Sequence, residues 1–185
     1  TTLFRSTTPD DLRFKGRLMV CTGADSIGRV VTLLETSGSE GMPKRVYFTE
    51  DDQERTVDFF HHGMLEFARP KDSALLLFPG SSPGSLNALL TEALGRMDAS
   101  AEIFGFPRRE DYPAVVRRIT EGRFNRLVGP PDTIAAIAEF SEAAGMSEAV
   151  AEIVESALLA GSFVSDRACD TIRRIWHCRV DRSEE

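Results

Sequence analysis

The residues best suited to chemistry form one glycine-rich segment, Thr36-Ser37-Gly38-Ser39-Glu40-Gly41-Met42-Pro43-Lys44. Gly38 and Gly41 can adopt positive φ and let the backbone approach a ligand closely. The hydroxyl groups, the successive N–H groups and the Lys44 ammonium could together bind an anion such as a phosphate chain. The alternative from these residues alone is an ordinary Gly/Ser turn between two strands.

The flanks of this segment distinguish it from a Walker A loop. A Walker A loop has Gly and Lys adjacent and leads into a helix whose N-terminus faces the phosphates. Here Met42-Pro43 separates Gly41 from Lys44, and the residues that follow, Arg45–Phe48, are typical of a strand. We therefore expect a loop between two strands that can close over a triphosphate and reopen.

The elements that must position this loop alternate along the chain. Short apolar runs predict strands, and apolar residues at helical spacing predict helices. The predicted strands are Arg29–Glu35, Arg45–Phe48, Ala74–Phe78, Ala101–Phe106, Arg126–Val128 and Ala157–Leu159. The predicted helices are Thr49–Ala68, Ser85–Met97, Tyr112–Glu121, Asp132–Ala144, Ser147–Val154 and Asp166–His177, after a short capped turn at Thr8–Leu12. This alternation predicts an α/β fold with a mainly parallel sheet and helices on both faces.

Composition narrows the class of protein. The 185 residues amount to about one domain. There are 29 acidic and 22 basic residues, a net charge of -7, which argues against a nucleic-acid or anionic-membrane surface. No apolar run is long enough to span a bilayer, and three cysteines without CxxC spacing indicate neither a disulfide framework nor a zinc ribbon. We expect a soluble, cytoplasmic chain.

Several motifs in order carry a resemblance to a known family. Thr36–Lys44, with Leu33 ahead of it, is similar to the phosphate-binding signature of the adenylate-forming ligases, which include acyl-CoA synthetases, luciferases and peptide-synthetase adenylation domains. Thr7–Arg13 resembles the Thr-Thr-x-x-Asp-Leu-Arg element of the phenylacetate–CoA ligase branch. Leu127–Asp132 resembles its Val-Gly-x-Pro element, and Leu158–Ser165 lies where the family has its adenine-contacting segment.

The resemblance implies a two-step reaction. A small-molecule carboxylic acid, aromatic by the branch resemblance, attacks ATP to give an acyl-adenylate, and coenzyme A then takes the acyl group, with Mg²⁺ neutralising phosphate charge. By resemblance, the residues that hold the β- and γ-phosphates are Thr36, Ser37, Gly38, Ser39, Gly41 and Lys44. Those that line the adenine site are Gly161, Ser162 and Phe163. Those that border the acyl pocket are Phe78, Pro79 and Gly80, with Phe60 and His61 as candidate wall residues. Glu40 places a negative charge beside the expected triphosphate, as either a metal ligand or a weakening of the ATP site.

Other family elements are not found in these residues. The pattern Tyr-Gly-x-Ser/Thr-Glu, the later ribose-binding Asp and the small C-terminal domain with its catalytic Lys do not appear, and Asp181–Glu185 is expected to be a polar tail. We therefore expect residues 1–185 to be part of an AMP-binding domain, with negligible adenylation activity alone. An apolar face exposed in such a partial domain would favour a homodimer.

Two other classes of function compete with this one. Gly80-Ser81-Ser82-Pro83-Gly84 matches the G-x-S-x-G pattern of serine hydrolases, with Asp166 or Asp170 and then His177 downstream. Pro83 argues against it, because the oxyanion hole needs the N–H of the residue after the nucleophile. The other class is a non-enzymatic nucleotide-binding or interaction module. His61 and His62 are adjacent in a helix and face different directions, so no shared metal site is expected.

Overall fold

The computed structural model describes residues 8–15, 30–35 and 45–183, and its contacts divide the chain into residues 1–56 and 57–185. In the first unit, helix α1 (Pro9–Lys15) precedes strands β1 (Val30–Glu35) and β2 (Arg45–Thr49), which pair antiparallel with Glu35 opposite Arg45. The two strands predicted on either side of the glycine-rich segment are thus confirmed. Thr36–Lys44 itself lies outside the described residues, as does Thr7.

Helices α1 and α2 begin with the same capping arrangement. Helix α2 spans Glu50–Phe67. The hydroxyl of Thr49 accepts a hydrogen bond from the N–H of Asp52 (3.2 Å), and the Asp52 carboxylate accepts one from the N–H of Thr49 (3.0 Å). Thr8 and Asp11 repeat this exchange at α1. Such reciprocal bonds satisfy N–H groups that the first turn of a helix leaves unpaired.

The second unit contains a five-stranded sheet in which all neighbouring strands are parallel. Its strands are β3 (Ser73–Leu76), β4 (Ser100–Ile103), β5 (Arg126–Gly129), β6 (Ser156–Leu159) and β7 (Arg179–Arg182), in the spatial order β4-β3-β5-β6-β7. The helices after α2 are α3 (Leu86–Gly95), α4 (Tyr112–Gly122), α5 (Pro131–Ala143), α6 (Ser147–Ala151) and α7 (Asp166–Trp176), with a 3₁₀ turn at Arg109–Asp111. The predicted α/β fold is confirmed.

Strand β7 corrects one expectation. Residues from Asp181 onward were expected to form a polar tail, yet Asp181 and Arg182 belong to a strand that pairs with Leu158 and Leu159 of β6. The strand is polar because it lies at the edge of the described sheet, and only Val180 enters the hydrophobic core. Backbone pairing with β6, rather than an apolar pattern, defines it.

The two faces of the sheet carry separate apolar clusters, because successive residues of a strand point to opposite faces. One face, here called the α5 face, packs against α4, α5, α6 and α7; its strand residues include Leu75, Leu77, Leu127, Ala157 and Leu159. The other, here called the α2 face, packs against α2 and α3; its strand residues include Ala74, Leu76 and Val128. Within the described residues, no helix is long and apolar enough to cross a membrane.

A polar network joins three neighbouring strands at their amino ends. The carboxylate of Asp72 accepts hydrogen bonds from the backbone N–H of Arg69 (2.7 Å), from Nδ2 of Asn125 (2.7 Å) and from Nε of Arg126 (2.8 Å). Its backbone oxygen accepts the N–H of Ser100 at 2.8 Å. Asp72 therefore links the starts of three strands: its carboxylate binds residues at the start of β5, and its backbone oxygen binds the first residue of β4.

Candidate functional site

The order of the strands places a crevice at the carboxyl ends of β3 and β5. From β3 the chain moves to β4 on one side and then crosses to β5 on the other. In open α/β sheets, ligands bind outside the carboxyl ends of the strands at such a switch point. The segments that leave the sheet here are Phe78-Pro79-Gly80 after β3, Gly129-Pro130 after β5 and Ala160-Gly161 after β6. Two segments expected to border a ligand, Phe78–Gly80 and Gly161–Phe163, thus lie at the same carboxyl ends of the sheet.

Two glycines let these segments approach one another. A Cβ added at Gly129 would lie 2.9 Å from Cβ of Leu77, closer than packed carbon atoms tolerate. Gly161 has a φ of +88°, and a Cβ there would lie 3.0 Å from the ring of Phe78. A larger residue at either position would displace the wall of the crevice.

Asn87 holds the turn after β3. Its buried side chain donates from Nδ2 to the carbonyl oxygens of Phe78 (2.7 Å) and Gly80 (2.6 Å), while its Oδ1 has no hydrogen-bond partner among the described residues. Ser85 caps α3 just before it, accepting a hydrogen bond from the N–H of Ala88 at 3.3 Å. The only sequence signal for Asn87 was an amide within an otherwise apolar helical turn.

A cavity of about 610 Å³ opens on the α2 face beside this crevice. Most of its wall is apolar and comes from α2, α3 and the strands β5 and β6, while β7 supplies a polar side. The lining residues are Phe59, Phe60, Gly63, Met64, Glu66, Phe67, Phe78, Leu86, Leu90, Val128, Leu158, Ala160, Arg179, Asp181, Arg182 and Ser183. Such a cavity suits a ligand with an apolar body and one polar end.

The structure separates the residues proposed from the sequence into four groups. Phe60 and Phe78 line the cavity. His61 contacts α3 instead, with its Nδ1 3.3 Å from the carbonyl oxygen of Ala93. Pro79, Gly80 and Gly161–Phe163 are exposed at the rim, and 81% of Phe163 is accessible to solvent. The phosphate-loop candidates Thr36, Ser37, Gly38, Ser39, Glu40, Gly41 and Lys44 lie outside the described residues.

The polar side of the cavity was not anticipated. Arg179 donates from Nε to the Asp181 carboxylate (2.8 Å) and from Nη2 to the carbonyl oxygen of Glu66 (2.8 Å). One signal could have drawn attention to this strand. Val180-Asp181-Arg182-Ser183-Glu184 has the length of the Tyr-Gly-x-Ser/Thr-Glu pattern and ends in the same Ser-Glu, while Val and Asp replace Tyr and Gly.

Metal and thiol chemistry find no support in the described part of the chain. No group of three or more His, Cys, Asp or Glu side chains there is placed to hold a metal ion. His61 and His62 have different partners, since Nδ1 of His62 lies 2.8 Å from the carbonyl oxygen of Asp58. Burial raises the pKa of the Cys178 thiol to about 11, so it is protonated at neutral pH and a poor nucleophile.

The serine-hydrolase alternative is incompatible with the sheet. Ser82 follows the carboxyl end of β3, whereas His177 lies between the end of α7 and the amino end of β7. Because the strands are parallel, Ser82 lies at the carboxyl ends of the strands and His177 at their amino ends. The two residues are therefore separated by the length of a four-residue strand, about 13 Å. They cannot form the hydrogen bond that a nucleophile and its base require.

Comparison with solved structures identifies the fold. An open-conformation 2-hydroxyisobutyryl-CoA ligase in complex with 2-HIB-AMP and CoA superposes with a TM-score of 0.69 at 15% identity, covering 82% of this chain and 35% of that one. The N-terminal subdomain of NpsA from Klebsiella oxytoca, in complex with 3-hydroxybenzoyl-AMSN, gives 0.57 at 18% identity, with 81% and 35% covered. A luciferase-like enzyme from the mealworm Zophobas morio gives 0.56 at 12% identity, with 85% and 34% covered.

These similarities confirm the fold expected from the motifs: the chain has the fold of part of an adenylate-forming ligase. It spans about a third of the length of the structures it matches. No protein-family profile and no curated protein sequence matches it.

Proposed function

We propose that this chain forms part of the large domain of an enzyme that activates a carboxylic acid with ATP and transfers the acyl group to coenzyme A. The observation that carries the proposal is the apolar cavity beside the switch point of a ligase-like sheet. The similar 2-hydroxyisobutyryl-CoA ligase structure is a complex with 2-HIB-AMP and CoA, which supports the same class of reaction here.

Each part of the site has a role in this proposal. The cavity holds the acyl group, and Gly161, Ser162 and Phe163 border the adenine. Thr36, Ser37, Gly38, Ser39, Gly41 and Lys44 bind the β- and γ-phosphates. The carboxylate oxygen of the acid attacks the α-phosphorus and pyrophosphate leaves. The chain contributes chiefly by positioning the two reactants, which lowers the entropic part of the barrier.

Mg²⁺ would neutralise phosphate charge in this reaction. The carboxylates of the described residues do not fit it, because none of them form a cluster that could hold a metal ion. Glu40 and Glu184, the carboxylates nearest to the family motifs in sequence, lie outside the described residues. We assign no step to the metal.

The cavity favours an aromatic acid. Four phenylalanines, Phe59, Phe60, Phe67 and Phe78, contribute to its wall, and aromatic side chains stack well against a flat ring. A phenylacetate-like acid matches this lining. We further propose a cytoplasmic location, since Cys169 and Cys178 are free and buried.

Filling the cavity tests its role. Gly63 lines the cavity, and a Cβ there would meet nothing within 4 Å, so the larger side chain of Gly63→Leu should extend into the space and obstruct it. Gly95 on α3 is equally open and lies outside the lining, so Gly95→Leu is the matched control. We expect calorimetry to show saturable binding of phenylacetyl sulfamoyl-adenosine to the native chain and to Gly95→Leu, and about tenfold weaker binding to Gly63→Leu. No binding to the native chain, or equal binding to both variants, would contradict the proposal.

Catalysis is tested separately. We expect negligible acid-dependent ATP–pyrophosphate exchange by the 185-residue chain. The product of the whole reading frame should catalyse this exchange. If it binds nucleotide and catalyses no exchange with any acid tried, the non-enzymatic alternative is favoured. The Val180-Asp181 pair in place of Tyr-Gly is the observation that keeps that alternative open.

We also propose that the isolated chain forms a homodimer. Among the described strands of the five-stranded sheet, β4 and β7 each pair on one side only, and unpaired strand edges promote association. Sedimentation velocity at several concentrations should show a dimer, and a monomer throughout would contradict this proposal.

A further inference from the structure

Three side chains form a row across the sheet at the amino ends of β5, β6 and β7. Arg126 is paired with Ser156, and Ser156 with Arg179, in the register of the parallel strands. All three point to the α2 face, because the next residue of each strand packs into the core of the α5 face: Leu127, Ala157 and Val180. Neighbouring strands are about 4.8 Å apart, so two arginines flank the serine at about 10 Å from each other.

Ser156 is the unusual member of this row. Only 3% of the residue is exposed, and its Oγ makes no hydrogen bond with any described residue. Buried hydroxyl groups almost always have a partner, since leaving one unpaired is costly. An unpaired hydroxyl between two guanidinium groups indicates a missing acceptor.

A small pocket adjoins the row. It has a volume of about 200 Å³, and besides the row it is lined by Phe67, Arg69 and Glu155. It shares Phe67 and Arg179 with the larger cavity but lies toward the amino ends of the strands. Three arginines and one glutamate line it, and two further carboxylates, Asp72 and Asp181, are bound to Arg126 and Arg179. The wall is therefore rich in N–H donors, while its charge is largely balanced by neighbouring carboxylates.

Acidic neighbours hold the first guanidinium of the row in place. Arg126 donates from Nε to Asp72 and from Nη1 to Glu155, both at 2.8 Å. Within the described part of the chain, its Nη2 has no acceptor. The group is therefore fixed in orientation, and its Nη2 can donate a charge-assisted hydrogen bond to an oxyanion.

The other two guanidinium groups also keep unused donors. Arg179 uses Nε and Nη2 for Asp181 and for a backbone carbonyl, and Arg69 uses Nη1 for the carbonyl oxygen of Leu65. Nη1 of Arg179, and Nε and Nη2 of Arg69, find no acceptor among the residues described. Among the described residues, three arginines thus keep N–H groups without an acceptor around one O–H without a partner.

We propose that this pocket binds a small tetrahedral oxyanion, a phosphate group, through Arg69, Arg126 and Arg179 with the Ser156 hydroxyl donating the remaining hydrogen bond. The site lies at the amino ends of the strands, whereas the switch point lies at their carboxyl ends. The proposal does not depend on the proposed ligase reaction. The phosphate is either the free ion or the end group of a small phosphomonoester, since the volume admits both.

Titration with inorganic phosphate at constant ionic strength tests the site, with glycerol 3-phosphate as the monoester. The dissociation constant is measured by calorimetry and the melting temperature in parallel. We expect saturable binding with a rise in melting temperature. Arg179→Gln should weaken phosphate binding at least about tenfold, because a charged donor is lost. Ser156→Ala should weaken it by about the same factor without lowering the melting temperature of the phosphate-free protein, because an unpaired hydroxyl is removed.

The matched control is Arg167→Gln, an equal charge change on an exposed residue of α7 at the opposite face of the sheet. It should bind phosphate as the native chain does. The proposal is overturned if phosphate shows no saturable effect, if Arg167→Gln weakens binding as much as Arg179→Gln, or if Ser156→Ala leaves the dissociation constant unchanged. The compound that binds more tightly, the free ion or the monoester, identifies the source of the group.

Discussion

Substitution of Asp72 by Asn should destabilise the protein more than any exposed ion-pair substitution. The side chains of Asp72 and Arg126 are only 12% and 10% exposed, and the carboxylate accepts three hydrogen bonds. Asp72→Asn removes the charge and leaves the buried guanidinium with Glu155, whose side chain is 63% exposed, as its carboxylate partner. Because Glu155 still pairs with Arg126, the loss is that of a buried, charge-assisted hydrogen bond, about 1.5–3 kcal/mol. We expect that loss in the free energy of unfolding at pH 7.

The acid dependence of this loss follows from the pKa of Asp72. Burial raises it, but hydrogen bonds from Asn125 and Arg69 and the charge of Arg126 outweigh burial and hold the pKa below its ordinary value. The unfolded chain therefore takes up the proton first, near pH 3.9. The stabilisation is complete above that pH and is lost as the pH falls through the folded pKa. The difference between native protein and variant should shrink below about pH 4.

Urea unfolding followed by fluorescence of Trp176, the single tryptophan of the chain, measures both effects. The control is Glu142→Gln, which breaks a bridge to Arg174 between side chains 47% and 60% exposed and should cost no more than about 1 kcal/mol. Equal losses for the two variants at pH 7, or an Asp72→Asn difference that persists undiminished at pH 3, would refute the reasoning.

Three further outcomes follow from packing. Gly129→Ala should lower the free energy of unfolding by about 1–3 kcal/mol through overpacking, whereas Gly95→Ala, with open space around it, should be neutral or stabilising in thermal melts. Ser141→Ala should cost about 1–3 kcal/mol, because it leaves the buried indole N–H of Trp176 without its 2.9 Å acceptor; Ser147→Ala on α6 is the comparison. Cys178 should resist alkylation at pH 8 until urea unfolds the chain, and rapid labelling of the folded protein would contradict its raised pKa of about 11.

Much of the fold could be predicted from the sequence because its elements have local signatures. Helix α3 combines a Ser85 cap with apolar residues at helical spacing, and β3 is apolar and buried from Ala74 to Leu76. Strand β7 has neither signature, since Arg179, Asp181 and Arg182 are charged. Its identity comes from pairing with β6, a contact that depends on the order of the strands and not on local sequence.

The residues of the candidate sites also differ in whether the sequence alone could identify them. Phe78 was expected from the family resemblance, and it lines the cavity. The row Arg126, Ser156 and Arg179 was not expected. Its members are distant in sequence and become neighbours only through the register of three strands. Asn87 was missed because its role is to satisfy carbonyl groups of a turn, and a single amide in an apolar helical turn does not identify that role.

The unequal cover of the sheet has a consequence for local stability. Within residues 57–183, four helices pack on the α5 face and two on the α2 face, and the cavity lies over β6 and β7 on the α2 face. Segments with few apolar contacts open at lower free energy than the rest of a protein. Amide hydrogens of β7 should therefore exchange sooner than those of β3 and β5. A ligand that fills the cavity would pack against β7 and slow the exchange of its amide hydrogens.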